Sequence, residues 1–277
     1  MQDKVKIAGV QMDPKIGAVK ENLAKIMERT RTAAANGANL VVFPECALTG
    51  YMFTSRTEAI LFAESIPGPS TEKLAALCRE LGVYLVAGML EKERDKCFNA
   101  AVLVGPEGLI GKYRKNHLPF LGIDRYLDSG NQPFPVFETA VGRIGLFICY
   151  DCTFPESSRV MALAGADILV LPTNWPEGRA KVPLYIIPTR AYENKVHVVA
   201  VDRVGRERGA EFLGKSKIVN AWGDVLAEAG IENEEIIYGE VSLAEAREKH
   251  VIIKAGEFEA DFIHDRKPHL YGKITEI

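Results

Sequence analysis

A cysteine, a glutamate and a lysine stand at positions in this sequence that suit nucleophilic chemistry. Cys149 follows the apolar run 144–148, which predicts a buried strand that stops at the cysteine. Glu45 follows a second apolar run, residues 40–44. Lys115 lies between Glu45 and Cys149 in the sequence. A carboxylate can take the thiol proton, and an ammonium can stabilise both a thiolate and an oxyanion. The three residue types therefore suffice for acyl transfer through a covalent thioester.

Six groups of short segments, in order between about residues 5 and 225, carry a resemblance to a known family. They are Gly9-Val10-Gln11-Met12; Phe43-Pro44-Glu45 with Leu48-Thr49-Gly50-Tyr51; Tyr113-Arg114-Lys115 with His117-Leu118; Ile148-Cys149-Tyr150-Asp151 with Phe154-Pro155-Glu156; Pro172-Thr173-Asn174-Trp175; and Arg190-Ala191 with Glu193-Asn194. In these segments the chain resembles the nitrilase superfamily of carbon–nitrogen hydrolases. The resemblance implies an α/β fold, a four-layer α-β-β-α sandwich with two mixed sheets packed face to face.

The resemblance also implies roles for individual residues. Cys149 is expected to be the nucleophile, Glu45 the base and Lys115 the oxyanion-stabilising cation, with the backbone N–H of Tyr150 as a second oxyanion donor. Many members of this family carry a further glutamate between the lysine and the cysteine, but residues 117–130 contain none. Asp124 is the best acidic substitute in that stretch, although alignment equally allows Gly122 at the same place.

Five other residues are candidates for the pocket or its support. Tyr51, Asn174 and Trp175 follow predicted strands and are expected to line the pocket, although buried aromatic residues are also common in ordinary cores. Arg190 and Glu193 lie on a predicted helix that, in similar proteins, packs near the site and braces it. His117 is expected to be structural rather than catalytic.

The expected reaction is cofactor-independent hydrolysis of a small linear carboxamide, which releases ammonia. The same residues would also serve a nitrile or an N-carbamoyl amine, so the sequence leaves these bonds open as alternatives. A more distant alternative is dithiol redox chemistry, because Cys149 and Cys152 have C-x-x-C spacing.

Composition limits the partners and the compartment. Of the 277 residues, 47% are hydrophobic, which suffices for a sizeable core. The formal net charge of −3 gives no electrostatic reason to expect nucleic acid or an anionic membrane as a partner. No apolar stretch predicts a signal peptide or a transmembrane helix. Five scattered cysteines do not resemble a disulfide framework, and the five histidines lack metal-site spacing, so no metal or cofactor is expected. We expect a cytoplasmic homo-oligomer, a dimer or larger.

Strand-like and helix-like segments alternate along the whole chain, with no linker, which predicts one domain over residues 1–277. Residues 36–44 resemble residues 164–172, and each segment follows a predicted strand and helix. This internal repeat fits two similar sheets packed together. The tail, about residues 249–277, is polar. In similar proteins this segment reaches a partner subunit, so the resemblance implies a place at a subunit interface, and a solvated extension is the alternative.

Overall fold

The computed structural model describes residues 3–276 and consists of strands, helices and single helical turns. Its strands are β1 (Lys4–Gln11), β2 (Leu40–Val42), β3 (Tyr84–Glu93), β4 (Lys96–Gly105), β5 (Gly108–Arg114), β6 (Val136–Thr139), β7 (Gly142–Leu146), β8 (Ile168–Pro172), β9 (His197–Val201), β10 (Arg206–Glu207), β11 (Ala210–Glu211), β12 (Lys217–Val219), β13 (Val225–Glu228), β14 (Glu235–Ser242), β15 (His250–Lys254) and β16 (Phe258–Asp261). Its α-helices are α1 (Val19–Ala35), α2 (Arg56–Ala59), α3 (Pro69–Leu81), α4 (Pro155–Leu163), α5 (Ile187–Asn194) and α6 (Leu243–Arg247).

Two six-stranded mixed sheets have the same internal plan. Their strand orders are β14-β1-β2-β3-β4-β5 and β6-β7-β8-β9-β12-β13. In each sheet the second, third and fourth strands run parallel, and the flanking strands are antiparallel. The repeat predicted from residues 36–44 and 164–172 thus coincides with equivalent strands, β2 and β8, of two similar sheets.

The side chains of each sheet alternate between two apolar layers, as the two-residue period of a strand requires. In β1, Val5 and Ile7 pack into the cluster between the sheets, whereas Ala8 and Val10 pack into the cluster under α1 and α3. Helices α4 and α5 cover the outer face of the second sheet, where Met161 joins the core. The expected α-β-β-α sandwich is therefore confirmed.

Several element boundaries differ from the sequence predictions for local reasons. The strand predicted over 144–149 ends at Leu146, because the N–H of Ile148 bonds to the Asp151 carboxylate and the chain turns away from the sheet. The helix that was predicted to carry Arg190 and Glu193 begins as a π-helical turn, Val182–Ile186. The tail contains the antiparallel hairpin of β15 and β16. Within residues 3–276, no helix combines the length and apolar character needed to cross a bilayer.

Gly88 on β3 allows the chain that follows β2 to cross the sheet closely. A Cβ at this position would lie 2.4 Å from the backbone nitrogen of Cys46 and 2.6 Å from the Cα of Glu45. Both atoms are backbone, so neither can yield without moving the segment that carries the glutamate. The close approach of β3 to this segment therefore depends on the missing side chain.

We expect Gly88→Ala to lower the free energy of unfolding by about 3 kcal/mol, the upper range for forcing extra volume into a packed interior. Urea denaturation measures the change. Gly272→Ala is the control, because its Cβ would meet no atom within 4 Å and a substitution in open space changes stability by less than about 0.5 kcal/mol. Equal stability of the two variants would contradict the account of close packing.

Candidate active site

Cys149 lies in a tight turn at the point where β7 leaves the second sheet. It opens a 3₁₀ turn, Cys149–Thr153, with a φ of 46°, a left-handed conformation that is costly for a residue with a side chain. The Asp151 carboxylate fixes the turn by accepting hydrogen bonds from the N–H of Ile148 and the hydroxyl of Tyr113, both at 2.9 Å. The thiol is thus held in a defined place by main-chain geometry.

Glu45, Lys115 and Asp124 form a fully buried charge cluster. Lys115 Nζ donates to Glu45 Oε1 and to Asp124 Oδ2, each at 2.6 Å, and the three side chains have no solvent exposure. Glu45 follows β2 and Lys115 follows β5, two strands of the first sheet that run in the same direction, so the cluster forms at the edge where both strands end. Short, charge-assisted hydrogen bonds of this kind are the strong ones.

The position beside Lys115 is occupied by the Asp124 carboxylate and not by Gly122. It lies in the 3₁₀ turn Gly122–Tyr126, and its Oδ2 also accepts a 2.8 Å hydrogen bond from the hydroxyl of Tyr51. Gly122 has a φ of 49°, and a Cβ there would lie 2.5 Å from the Tyr51 ring. The ring that was expected to line the pocket therefore packs under this turn and holds the aspartate.

Asn99 on β4 also belongs to the cluster and was missed by the sequence analysis. Its amide nitrogen donates to Glu45 Oε1 at 2.7 Å and to Asp124 Oδ1 at 2.9 Å. The available signal was a polar residue within a buried apolar strand, since β4 is otherwise apolar from Cys97 to Val104. A buried amide needs partners, but the sequence does not say which ones.

Burial and charge shift the pKa values of the clustered groups. Burial raises the pKa of Glu45, and Asp124 raises it further, against the opposing charge of Lys115. Burial alone lowers the pKa of Lys115, but the carboxylates of Asp124 and Glu45 outweigh it, so the pKa rises and the ammonium is kept. Burial raises the pKa of Cys149 and Glu45 adds to this effect, whereas Lys115 opposes it. The cysteine therefore rests as a neutral thiol and needs a base.

A cavity of about 130 Å³ adjoins Cys149. Its walls are mostly apolar and consist of Pro119, Leu121, Cys149, Tyr150, Trp175, Pro176 and Arg179. This volume lies below the roughly 300–1,000 Å³ of a typical ligand pocket, so the site suits a small molecule. A wider groove, about 830 Å³, runs beside α1 and α3, but it is remote from Cys149 and its lining includes no cysteine.

Four of the five residues expected to form or support the pocket lie outside the lining of this cavity, namely Tyr51, Asn174, Arg190 and Glu193. Arg190 donates to the backbone oxygen of Cys152 at 3.1 Å and pairs with Glu193 at 2.9 Å, so the two brace the turn that begins at Cys149. Asn174 is fully buried, directly before the cavity residue Trp175.

Burial raises the pKa of Cys152 to about 12, which keeps this second thiol protonated.

The family model described as carbon-nitrogen hydrolase matches residues 6–250. A protein named nitrilase from Pyrococcus abyssi is 43% identical over 89% of this chain and 93% of its own length. The omega-amidase NIT2 of Homo sapiens is 34% identical over 91% of this chain and 96% of its own. The chain belongs to the carbon–nitrogen hydrolase family, the nitrilase superfamily, and it is an enzyme of that class.

A solved structure has the same fold. It is a variant of the amidase from Nesterenkonia sp. AN1, in which the acetamide moiety of fluoroacetamide is covalently added at the active-site cysteine. The two folds agree with a TM-score of 0.81 at 24% identity, over 97% of this chain and 96% of the other.

We expect Lys115→Met to lower the free energy of unfolding by about 3–5 kcal/mol, because it leaves Glu45 and Asp124 buried without their cation. Glu45, whose pKa is already raised by burial, would then bind a proton more tightly in the folded state than in the unfolded state. Its raised pKa stabilises the variant at low pH, and this stabilisation is lost as the pH rises. The deficit relative to the unsubstituted protein should therefore be larger at pH 8 than at pH 5, measured by urea denaturation.

Lys4→Met is the matched control, because the Lys4–Glu240 pair is exposed on both sides. Such a pair contributes at most about 1 kcal/mol. A Lys115→Met deficit as small as that of the control, or one that does not depend on pH, would contradict the account of the buried cluster.

Proposed function

We propose that this enzyme hydrolyses a small linear carboxamide through a thioester on Cys149, with Glu45 as acid–base group and Lys115 as oxyanion-stabilising cation. The observation that carries the proposal is the buried cluster beside the thiol. Lys115 occupies Glu45 Oε1, while Glu45 Oε2 has no hydrogen-bond partner among residues 3–276. A carboxylate oxygen without a partner in a buried site is suited to take up a proton.

In the acylation half, Glu45 accepts the thiol proton as the Cys149 sulfur attacks the carbonyl carbon. The tetrahedral oxyanion is stabilised by the Lys115 ammonium and by the backbone N–H of Tyr150, and one such donor contributes about 3 kcal/mol or more. Glu45 then gives the proton to the leaving nitrogen, the C–N bond breaks, and ammonia departs. The raised pKa of Glu45 suits this alternation between base and acid.

In the deacylation half, Glu45 takes a proton from water as the water oxygen attacks the thioester carbon. The C–S bond breaks, the sulfur regains the proton, and a carboxylic acid is released. Asp124 does not take part in these transfers; it holds Lys115 in place and is itself held by Tyr51.

Nitriles and N-carbamoyl amines are the second class of substrates for the same residues. A relative named nitrilase, at 43% identity, supports nitriles as the alternative substrates. The relative named omega-amidase and the mainly apolar cavity of about 130 Å³ favour a short carboxamide. The dithiol alternative has little support, because Cys152 is fully buried and its pKa is about 12.

Arg179 favours a carboxamide whose far end carries a carboxylate. It is the charged residue among those that line the cavity, and its guanidinium reaches the Thr153 hydroxyl at 3.3 Å. Within residues 3–276 it pairs with no carboxylate, whereas Arg190 nearby pairs with Glu193. A guanidinium matches a carboxylate in geometry and charge. We therefore propose monoamides of short dicarboxylic acids as the preferred substrates.

The proposal also covers the oligomeric state and the cellular compartment. We propose a homodimer or a larger homo-oligomer in the cytoplasm, with the tail at the subunit interface. Large apolar side chains are exposed along the tail, among them Ile252, Phe258, Leu270 and Ile274. Exposed apolar side chains that lie together are typical of an interaction surface.

We expect Cys149→Ala to lower ammonia release by about 10³-fold or more, because no thioester can form. Ammonia is measured with matched linear carboxamides, nitriles and N-carbamoyl amines. Cys152→Ser is the control and should keep its activity. Unchanged ammonia release by Cys149→Ala would refute the mechanism. Release from nitriles alone would identify the enzyme as a nitrilase and not an amidase.

We expect Arg179→Met to lower kcat/KM for succinamate by about 10- to 100-fold, the loss of hydrogen bonds to a charged group. The uncharged isostere 4-methylpentanamide should change by less than about threefold, because its end makes no such bonds. Arg206→Met is the control, since Arg206 is exposed and pairs with Glu211. An equal effect of Arg179→Met on both substrates would contradict carboxylate recognition.

A further inference from the structure

Asn99 is a neutral member of the buried cluster, and it contacts both carboxylates. Its amide nitrogen donates to Glu45 Oε1 at 2.7 Å and to Asp124 Oδ1 at 2.9 Å. Lys115 bridges the same pair, through Glu45 Oε1 and Asp124 Oδ2. Glu45 and Asp124 are therefore joined twice, once by an ammonium and once by an amide.

This double bridge distinguishes the two oxygens of Glu45. Oε1 accepts from both Lys115 and Asn99, whereas Oε2 is buried and has no partner in the described part of the chain. An oxygen that already accepts two donors is poorly placed to bind a proton, so a proton on Glu45 goes to Oε2. Without the amide, one of the two restraints on carboxylate rotation would be lost.

We propose that Asn99 is a positioning residue, which fixes Glu45 so that Oε2 alone exchanges protons with Cys149 and the substrate. The inference rests on the proposed function, because it assigns the proton transfers to Glu45. Asn99 is not among the residues that line the cavity, and its amide nitrogen is taken up by the two carboxylates. It acts through the glutamate, by holding its orientation and by adding two donors to a site that has two carboxylates.

Cys46 helps to orient the Asn99 amide. The Cys46 thiol donates to Asn99 Oδ1 across 3.7 Å, which leaves the amide nitrogen to face the carboxylates. The opposite orientation would direct the amide oxygen at two carboxylate oxygens and would lose both donated bonds. Burial raises the pKa of Cys46, so the thiol keeps the proton that it donates. Cys46 therefore has a structural role in this proposal, although its thiol takes no part in the proposed mechanism.

The charged and titratable groups around Glu45 come from several elements. Lys115 contacts Glu45 directly, Asp124 is joined to it through Lys115 and Asn99, and Cys149 interacts with it electrostatically from the second sheet. Asp202, at the end of β9, is buried and interacts electrostatically with Glu45. Tyr51 acts on the same cluster through Asp124. A carboxyl group in place of the Asn99 amide would add a like charge to this set.

The test compares Asn99→Ala and Asn99→Asp by the pH dependence of kcat/KM and by kcat and KM at the optimum. We expect Asn99→Ala to lower kcat by about 10- to 100-fold, the loss of charge-assisted hydrogen bonds, with KM changed less than about threefold. Asn99→Asp should move the acidic limb to higher pH by about one unit or more, because another carboxyl makes Glu45 harder to ionise.

Asn22→Ala is the matched control for a purely structural effect. Asn22 is as buried as Asn99, and its amide also donates two hydrogen bonds, to backbone oxygens of Lys15 and Leu48. It should lower stability without moving the acidic limb. If Asn99→Ala keeps both kcat and the acidic limb of the unsubstituted enzyme, Asn99 is merely structural and the proposal is wrong.

Cys46 supplies a second test that leaves Glu45, Asp124 and Asn99 intact. Cys46→Ala should lower kcat and shift the acidic limb, since the amide loses its orienting donor, and Cys46→Ser should restore both with its hydroxyl. Equal behaviour of Cys46→Ala and Cys46→Ser would remove the orienting role. If the Asn99 variants do not fold, Cys46→Ala tests the orientation of the amide through its neighbour, and the kcat and acidic limb of the unsubstituted enzyme in Cys46→Ala would count against the proposal.

A readout without substrate separates this inference from the proposed function. Alkylation of Cys149 by iodoacetamide, followed by mass spectrometry, also requires a base to take the thiol proton. If no carboxamide is hydrolysed but the acidic limb of alkylation shifts in Asn99→Asp, the proposed substrate class fails and the role of Asn99 stands. If carboxamides are hydrolysed and neither acidic limb shifts, the role of Asn99 fails alone.

Discussion

The structure depends on a lysine ammonium that is buried between two carboxylates. Removing ions from water costs several kcal/mol each, and only short hydrogen bonds with good geometry offset this cost. Lys115 meets this condition through two contacts of 2.6 Å, to Glu45 and Asp124. Any displacement of either carboxylate leaves a charge without its partner. The cluster therefore requires a rigid support, which the sheets around it provide.

The two sheets supply that support from different directions. Glu45, Asn99 and Lys115 come from β2, β4 and β5 of the first sheet or from the residues just after them, whereas Cys149 follows β7 of the second. The thiol reaches the cluster because the sheets pack face to face with similar strand plans. Ligand sites in α/β folds commonly lie where parallel strands end, and this site follows that rule. The left-handed turn at Cys149 completes the approach at a cost in backbone strain.

Asp124 shows how local structure can compensate for a shorter side chain. The family resemblance predicts a glutamate in this region, and the aspartate is one methylene shorter. The turn Gly122–Tyr126 brings the backbone close enough for the carboxylate to reach Lys115, and the Tyr51 hydroxyl holds it there. The turn itself depends on a glycine in a left-handed conformation above the Tyr51 ring. A substitution that looks like a loss in the sequence is thus accommodated by the backbone.

The sequence by itself indicated the family through the order of its motifs, and the repeat of strand, helix and strand through apolar periodicity. The α-β-β-α sandwich was an implication of the family resemblance. It also singled out Glu45, Lys115 and Cys149 as candidate residues, since each stands in a motif. Only the tertiary structure decided that Asp124 reaches the lysine, that Asn99 joins the two carboxylates and that Arg179 borders the cavity. These contacts join residues that are distant in the chain, and their existence depends on side-chain direction and on distances below 3 Å between polar atoms. Periodicity places a residue on an element, but only the packing of several elements sets such distances.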